Sequence, residues 1–118
     1  MAKVTIFHNP RCSTSRHALE QAETRDVEAE VVQYLKEPLG RDQVLALMEI
    51  LQDPPGDLVR KDAYFKELGL TEEDYTTPEQ VADLLGEHPR LMQRPVLVRG
   101  DRAIIGRPKD RLGEFLSN

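Results

Sequence analysis

The chain has 118 residues, 39% of them hydrophobic and 31% charged, with no Trp, one Cys and a formal net charge of -5. That length suits one compact core burying roughly two thirds of the unfolded surface, and the balance is that of a globular protein rather than a disordered one. No apolar run approaches the roughly 20 residues that span a bilayer, the acidic balance argues against a general nucleic-acid binder, and Met1-Ala2-Lys3-Val4-Thr5-Ile6-Phe7 turns polar at His8-Asn9 too soon for a signal peptide.

Val4-Thr5-Ile6-Phe7 reads as a strand stopped by Asn9-Pro10. A helix is predicted from Ser13, its expected N-cap, to about Arg25, with Ala18, Leu19 and Ala22 at helical spacing. Glu30-Val31-Val32-Gln33-Tyr34-Leu35 reads as a second strand, so the first elements form a βαβ unit with parallel strands. Val44, Leu47, Met48 and Leu51 then mark one helical face closed by Pro54-Pro55-Gly56. A shorter helical stretch runs through Leu58 and Tyr64 to Leu68. Thr77-Pro78-Glu79-Gln80 is a helix start with a capping box, Val81, Leu84 and Leu85 give that helix an apolar side, and Gly86 is placed to end it.

Val96-Leu97-Val98 and Ala103-Ile104-Ile105 flank the turn-like Arg99-Gly100-Asp101-Arg102, which predicts a β-hairpin. Pro108 is placed to open a last helix with Leu112, Phe115 and Leu116 facing inward. The reading is an α/β fold: a mixed four-stranded sheet ordered as βαβ, a helical insert at about 40–92, a β-hairpin and a C-terminal helix, in a single domain over 1–118.

The chemistry centres on Cys12. A thiolate is favoured at a helix N-terminus and near cations, and Arg11 and Arg16 lie close in sequence while Ser13, Thr14 and Ser15 bring hydroxyls. An isolated cysteine is commonly a small buried hydrophobe, but Pro, Arg, Ser and Thr neighbours do not make a core. His8 suits a hydrogen-bonded spacer as well as a base, and Asn9 suits a turn former that braces the loop. A lone cysteine cannot form an internal disulfide, fits a reducing compartment such as the cytoplasm, and needs a second thiol from outside. A self-contained Cys-x-x-Cys oxidoreductase is excluded because Ser15 holds the second position, and a Cys-based phosphatase loop is weakened because Ala18 stands where its arginine belongs. Of 16 basic residues 11 are Arg, which composition alone assigns to coding bias as readily as to forked binding of an oxyanion.

The stretch His8-Asn9-Pro10-Arg11-Cys12-Ser13-Thr14-Ser15-Arg16 closely resembles the active-site loop of the glutaredoxin-coupled arsenate reductase family. Tyr34-Leu35 with Pro38, Leu58-Val59-Arg60-Lys61, the segment from Tyr64 to Leu70, His88-Pro89 leading to Arg94-Pro95-Val96, and Gly106-Arg107-Pro108 extend the resemblance over nearly the whole chain, toward the family's shorter branch. The resemblance implies a thioredoxin-like fold, a cis Arg94-Pro95 bond facing the cysteine, and a reduction of arsenate to arsenite without a bound cofactor or metal. It implies Cys12 as nucleophile, Arg60, Arg94 and Arg107 as holders of the oxyanion, and His8, Asn9 and Ser15 as supports. Glutathione would be the co-substrate and glutaredoxin the protein partner. Arg90, Arg99, Arg102 and Arg111 read as surface charge. The rival readings are a thioredoxin-fold regulator of the RNA-polymerase-binding type, whose usual Cys-x-x-Cys switch Ser15 breaks, a monothiol glutaredoxin-like protein, and a glutathione-linked thiol enzyme acting on another oxyanion.

Overall fold

The computed structural model describes Lys3–Ser117; Met1, Ala2 and Asn118, which the signal-peptide and single-domain readings include, lie outside the described residues. The chain forms two compact units, one made of residues 1–37 and 94–118 and the other of residues 38–93.

The first unit is built on strand β1 (Lys3–His8), whose alternating buried positions Val4, Ile6 and His8 mark a half-buried strand. Helix α1 (Ser13–Thr24) crosses over to strand β2 (Glu28–Gln33), which pairs parallel with β1 from Lys3 opposite Glu28 to His8 opposite Gln33. The second strand therefore begins and ends two residues before the span predicted from its β-branched run. Register with β1 decides its limits, and Tyr34 falls in the turn that follows. Between α1 and β2 the chain reverses through Asp26, whose φ of 56° is left-handed. Asp26 N–H donates to the Glu23 carbonyl and Val27 N–H to the Ala22 carbonyl, the paired closure of a Schellman motif.

Strands β3 (Val96–Arg99) and β4 (Arg102–Ile105) form the predicted hairpin, each one residue longer than read. Gly100, at the first central position of the two-residue turn, has φ +64°, a conformation open to glycine without a steric cost. β3 lies antiparallel to β1, so the sheet order is β2-β1-β3-β4, with one parallel and two antiparallel pairings. One cluster of buried side chains packs Val4, Ile6, Leu97 and Ile104 of the sheet with Ala18 and Ala22 of α1 and with Leu112, Phe115 and Leu116.

The last three of these belong to the C-terminal helix, which spans Arg111–Leu116 and not the longer span that Pro108 suggested. Pro108, Lys109 and Asp110 form a turn whose carbonyls accept the Arg111 and Leu112 N–H groups. The Arg111 guanidinium donates to the carbonyls of Ile105 and Arg107, which ties the start of that helix to the end of β4.

In the second unit, helix α2 (Arg41–Ile50) buries Val44, Leu47 and Met48, while Leu51 lies just past its end and half-exposed. The predicted stretch from Leu58 to Leu68 divides into a 3-10 turn at Pro55–Leu58 and helix α3 (Ala63–Glu67), because Val59 leaves helical geometry to bridge Met92. Asp62 restarts the helix by accepting the Phe65 N–H. Helix α4 (Pro78–Glu87) has the predicted capping box at Thr77 and Gln80, but it runs past Gly86 to Glu87. Gly86 lies beside the Arg41 backbone with room for a Cβ, and the helix continues through it. With α4 and the hairpin named, the C-terminal helix Arg111–Leu116 is α5.

Gly106 is the tightest point of the first unit. A Cβ there would meet Pro95 Cγ at 2.8 Å, and Leu97 Cδ1 and Leu112 Cδ2 at 3.1 Å each. Its N–H donates to the Pro95 carbonyl at 2.8 Å. Gly106→Ala is expected to lose about 1 to 3 kcal/mol of stability through overpacking against these rigid neighbours. Urea denaturation checks this, and an unchanged midpoint would show that the neighbours relax freely.

Candidate active site

After β1 the chain turns through Asn9, Pro10 and Arg11. The turn is closed by Cys12 N–H donating to the Asn9 carbonyl at 3.0 Å and by Arg11 N–H donating to Asn9 Oδ1 at 2.9 Å. Cys12 itself occupies the N-cap of α1, with φ -100° and ψ 121°, and Ser13 is the first helical residue. The sequence placed the cap at Ser13 because serine is the usual capping residue. Here Cys12 holds the cap position with an extended backbone and no side-chain capping hydrogen bond, and the Ser15 and Thr14 N–H groups of the first turn favour its charged form.

Two arginines act on the same sulfur from the far end of the chain. Arg107 Nη2 donates to Cys12 Sγ at 3.2 Å, while Arg107 Nε donates to the Arg94 carbonyl at 2.7 Å. Arg94 also favours the charged form of Cys12. Burial pushes the Cys12 thiol up, but the Ser15 N–H, the Arg94 side chain, the Arg107 charge and the Thr14 N–H together outweigh it, and the thiol rests below its ordinary value. The Arg94-Pro95 bond is cis, as the sequence predicted, and so is Arg107-Pro108, which it did not.

His8 and Ser15 lie beneath the loop. Ser15 is fully buried, and its Oγ accepts the Asn9 N–H at 3.0 Å and shares a hydrogen bond with His8 Nδ1 at 2.6 Å. Burial lowers the His8 pKa, the nearby Arg16 charge lowers it further, and the Ser15 backbone only partly offsets them. The Arg16 guanidinium donates to the Pro10 carbonyl at 2.9 Å. Its charge therefore bears on His8, and the cations at the sulfur are Arg94 and Arg107 rather than the sequence neighbours Arg11 and Arg16.

Cys12, His8, Asn9, Ser15, Arg94 and Arg107 all belong to the first unit. Arg60 belongs to the second, where its Nε donates to Asp62 at 3.0 Å and its N–H to the Leu91 carbonyl at 2.6 Å. Among the described residues no group of three or more His, Cys, Asp and Glu is placed to hold a metal ion, and no helix is long and apolar enough to cross a membrane.

Residues 7–115 match the ArsC family. The chain belongs to that family. An Escherichia coli arsenate reductase is 36% identical over 117 residues, which cover 98% of this chain and 82% of that relative. A Neisseria meningitidis arsenate reductase is 35% identical over 118 residues, covering 98% of this chain and 100% of the relative. Among solved structures, an arsenate reductase from Vibrio cholerae superimposes with a TM-score of 0.81 at 28% identity, covering 96% of this chain and 97% of that one. The four-stranded mixed sheet is thus the thioredoxin-like fold of ArsC proteins.

Two arginines of this ArsC chain that read as surface charge do more than that. Arg99 is only 8% exposed and donates to the carbonyls of Phe115 and Ser117, closing the C-terminal end of α5 against the hairpin. Arg111 fixes that helix's start, as described. Sequence reading also missed Tyr34 as a core residue: it is fully buried, and that burial raises its pKa against the opposing Arg94 charge. Its place directly after an aliphatic run made it look like one more strand residue.

Alkylation of the native protein by iodoacetamide against pH is expected to show a Cys12 midpoint below the free value of about 8.5, and Arg107→Ala to raise it by about one to two pH units. An unmoved midpoint would remove Arg107 from the thiolate. The His8 imidazole is expected to titrate by NMR below 6.5 and to move upward in Arg16→Ala. Because the unfolded histidine takes up its proton near 6.5 and the folded one at lower pH, His8 makes stability fall as pH drops from that value through the folded midpoint.

Proposed function

We propose that this chain reduces arsenate to arsenite, with Cys12 as the nucleophile and with glutathione and glutaredoxin, in the cytoplasm, as the external reductants. The observation that carries the proposal is the Arg107 guanidinium, fixed on the Arg94 carbonyl, donating to a partly exposed thiol at the start of α1. An arrangement that stabilises a thiolate also accepts a tetrahedral oxyanion, because guanidinium forks and helix N–H groups suit both. The choice of arsenate rests on the relatives, which are arsenate reductases along nearly the whole of this chain.

The chemistry follows from the solitude of the thiol. Cys12 attacks arsenic(V), and a hydroxyl leaves as water to give a thiol-arsenate adduct. Arg94 and Arg107 hold the remaining arsenate oxygens and offset their charge; Arg60 joins them in this reading on the strength of the family pattern. Glutathione displaces a second hydroxyl as water, so arsenic carries both sulfurs. A glutaredoxin thiolate then attacks the glutathione sulfur. The electron pair of the arsenic-sulfur bond stays on arsenic, which becomes arsenic(III), while glutaredoxin leaves as a mixed disulfide with glutathione. Water cleaves the last arsenic-sulfur bond, releasing arsenite and the Cys12 thiol. A second glutathione restores glutaredoxin, so each turn converts arsenate and two glutathione to arsenite, glutathione disulfide and water. His8, Asn9 and Ser15 act in this scheme by fixing the loop that presents the sulfur.

NADPH oxidation through glutathione reductase, glutathione and glutaredoxin is expected to depend on arsenate with the wild-type protein and to be lost in Cys12→Ser. Arg94→Ala and Arg107→Ala are expected to lose about 10²-fold or more in kcat/KM. Wild-type protein that gives no arsenate-dependent oxidation would defeat the proposal.

A further inference from the structure

The segment Leu58-Val59-Arg60-Lys61 contains one basic side chain, Lys61, that the chemistry of Cys12 does not use. It belongs to the second unit and stands just before α3. The Lys61 ammonium donates to the Gly56 carbonyl at 2.6 Å and to the Val59 carbonyl at 3.4 Å. Both acceptors are neutral, and among the described residues no carboxylate forms an ion pair with it. An ammonium has three N–H donors, so the two carbonyls fix its position and leave one donor over. The side chain is half-buried, and its charge is unanswered by any fixed anion.

Lys61 borders a cavity of about 480 Å³, within the roughly 300 to 1,000 Å³ usual for small-molecule sites. Phe65 and Leu70 give it an apolar lining. Phe65 is only 3% exposed, and Tyr75 holds its ring edge-to-face with centroids 5.9 Å apart. Past α3 the chain reverses at Gly69, whose φ of +73° is left-handed, and the reversal brings Glu72 and Glu73 to the cavity that Lys61 and Lys66 also line. Lys66, Glu72 and Glu73 are exposed, and none of the four charges forms an ion pair among the described residues. Opposite charges thus line one space without closing on each other. A phosphate there would meet two glutamates, and a metal ion or polyamine would meet two lysines, each a like-charge contact that costs affinity. A ligand with both charges on a short stem answers all of them and rests its stem on Phe65 and Leu70.

We propose that this cavity binds a short zwitterionic peptide, with the peptide carboxylate on Lys61 and its ammonium on Glu72 and Glu73. The carboxylate gains a charge-assisted hydrogen bond from a donor that the Gly56 and Val59 carbonyls already hold in place, so little side-chain freedom is lost on binding. Lys66 adds charge at the rim. The site lies wholly in the second unit and changes no covalent bond, so it does not depend on what Cys12 reduces.

The test is an NMR titration of the isotope-labelled whole chain at neutral pH with triglycine, with triglycine amide, which lacks the carboxylate, and with N-acetyl-triglycine, which lacks the ammonium. Triglycine is expected to saturate shifts of the Lys61, Phe65, Leu70 and Glu72 amides with a Kd of about 1 mM, and each capped form to bind about threefold or more weakly. Lys61→Met keeps the stem and removes the charge. It is expected to weaken triglycine by about threefold to tenfold and to leave triglycine amide unchanged, since that peptide has no carboxylate to lose. Glu72→Gln combined with Glu73→Gln alters only exposed side chains and so tests the site even where Lys61→Met fails to fold. It is expected to weaken triglycine about threefold and to leave N-acetyl-triglycine unchanged. Absence of saturable shifts at these amides, or equal affinity for all three peptides, would overturn the proposal. Variants that weaken capped and uncapped peptides alike would overturn it as well, because the charges would then not be what the cavity reads.

Discussion

The site depends on a place where the chain has no room for a side chain. Gly106 lies so close to Pro95, Leu97 and Leu112 that even one methyl group would collide. That approach lets the Gly106 N–H reach the Pro95 carbonyl, and it joins the end of β4 to the start of β3 just beyond their last ladder pair. The residues next to this joint are Arg94 and Arg107. Their backbones are therefore adjacent before their side chains make any choice, and Arg107 Nε closes the arrangement on the Arg94 carbonyl. Packing of apolar atoms around a glycine is what brings two cations to one sulfur.

Two cations side by side repel, and a thiol partly withdrawn from water resists ionisation. The structure reconciles these costs by making each the remedy for the other. A thiolate between Arg94 and Arg107 lowers their mutual repulsion, and their donors make up for the water the sulfur has lost. The helix adds fixed N–H groups that need no reorganisation when charge develops. Ser15, which stands where a second redox cysteine would be in a Cys-x-x-Cys protein, is instead turned to His8 and Asn9 and fully buried. Its hydroxyl supports the loop from below, and Cys12 is the loop's one thiol.

How much of this was legible in the sequence follows from the range of the interactions involved. The first strand, the hairpin and the capping box of α4 could be read because alternation, a glycine turn and an N-terminal cap act within a few residues. The limits of β2 could not, since they depend on pairing with β1, and the division of the Leu58 to Leu68 stretch depends on a bridge from Val59 to Met92. Cys12 was legible from its own loop as a thiol at a helix start. Its cations were not: Arg107 lies 95 residues away, and only family resemblance singled it out over Arg11 and Arg16, which are near in sequence. Arg99 and Tyr34 escaped for the same reason. An arginine beside a turn and a tyrosine after a strand look ordinary until the fold buries them and supplies the arginine with carbonyls as partners.

Arginine rather than lysine at position 107 follows from the number of tasks assigned to one side chain. Nε is used to fix the group to the Arg94 carbonyl, and Nη2 is used on the sulfur. A lysine ammonium could supply the charge, but its one nitrogen at the end of a flexible stem would have to bond carbonyl and sulfur from a single point. The planar fork separates the two bonds, so the orientation set by the backbone carbonyl is transmitted rigidly to the donor facing Cys12. Electrostatics alone would tolerate either cation; the geometry of a donor held in advance of the charge it stabilises requires the fork.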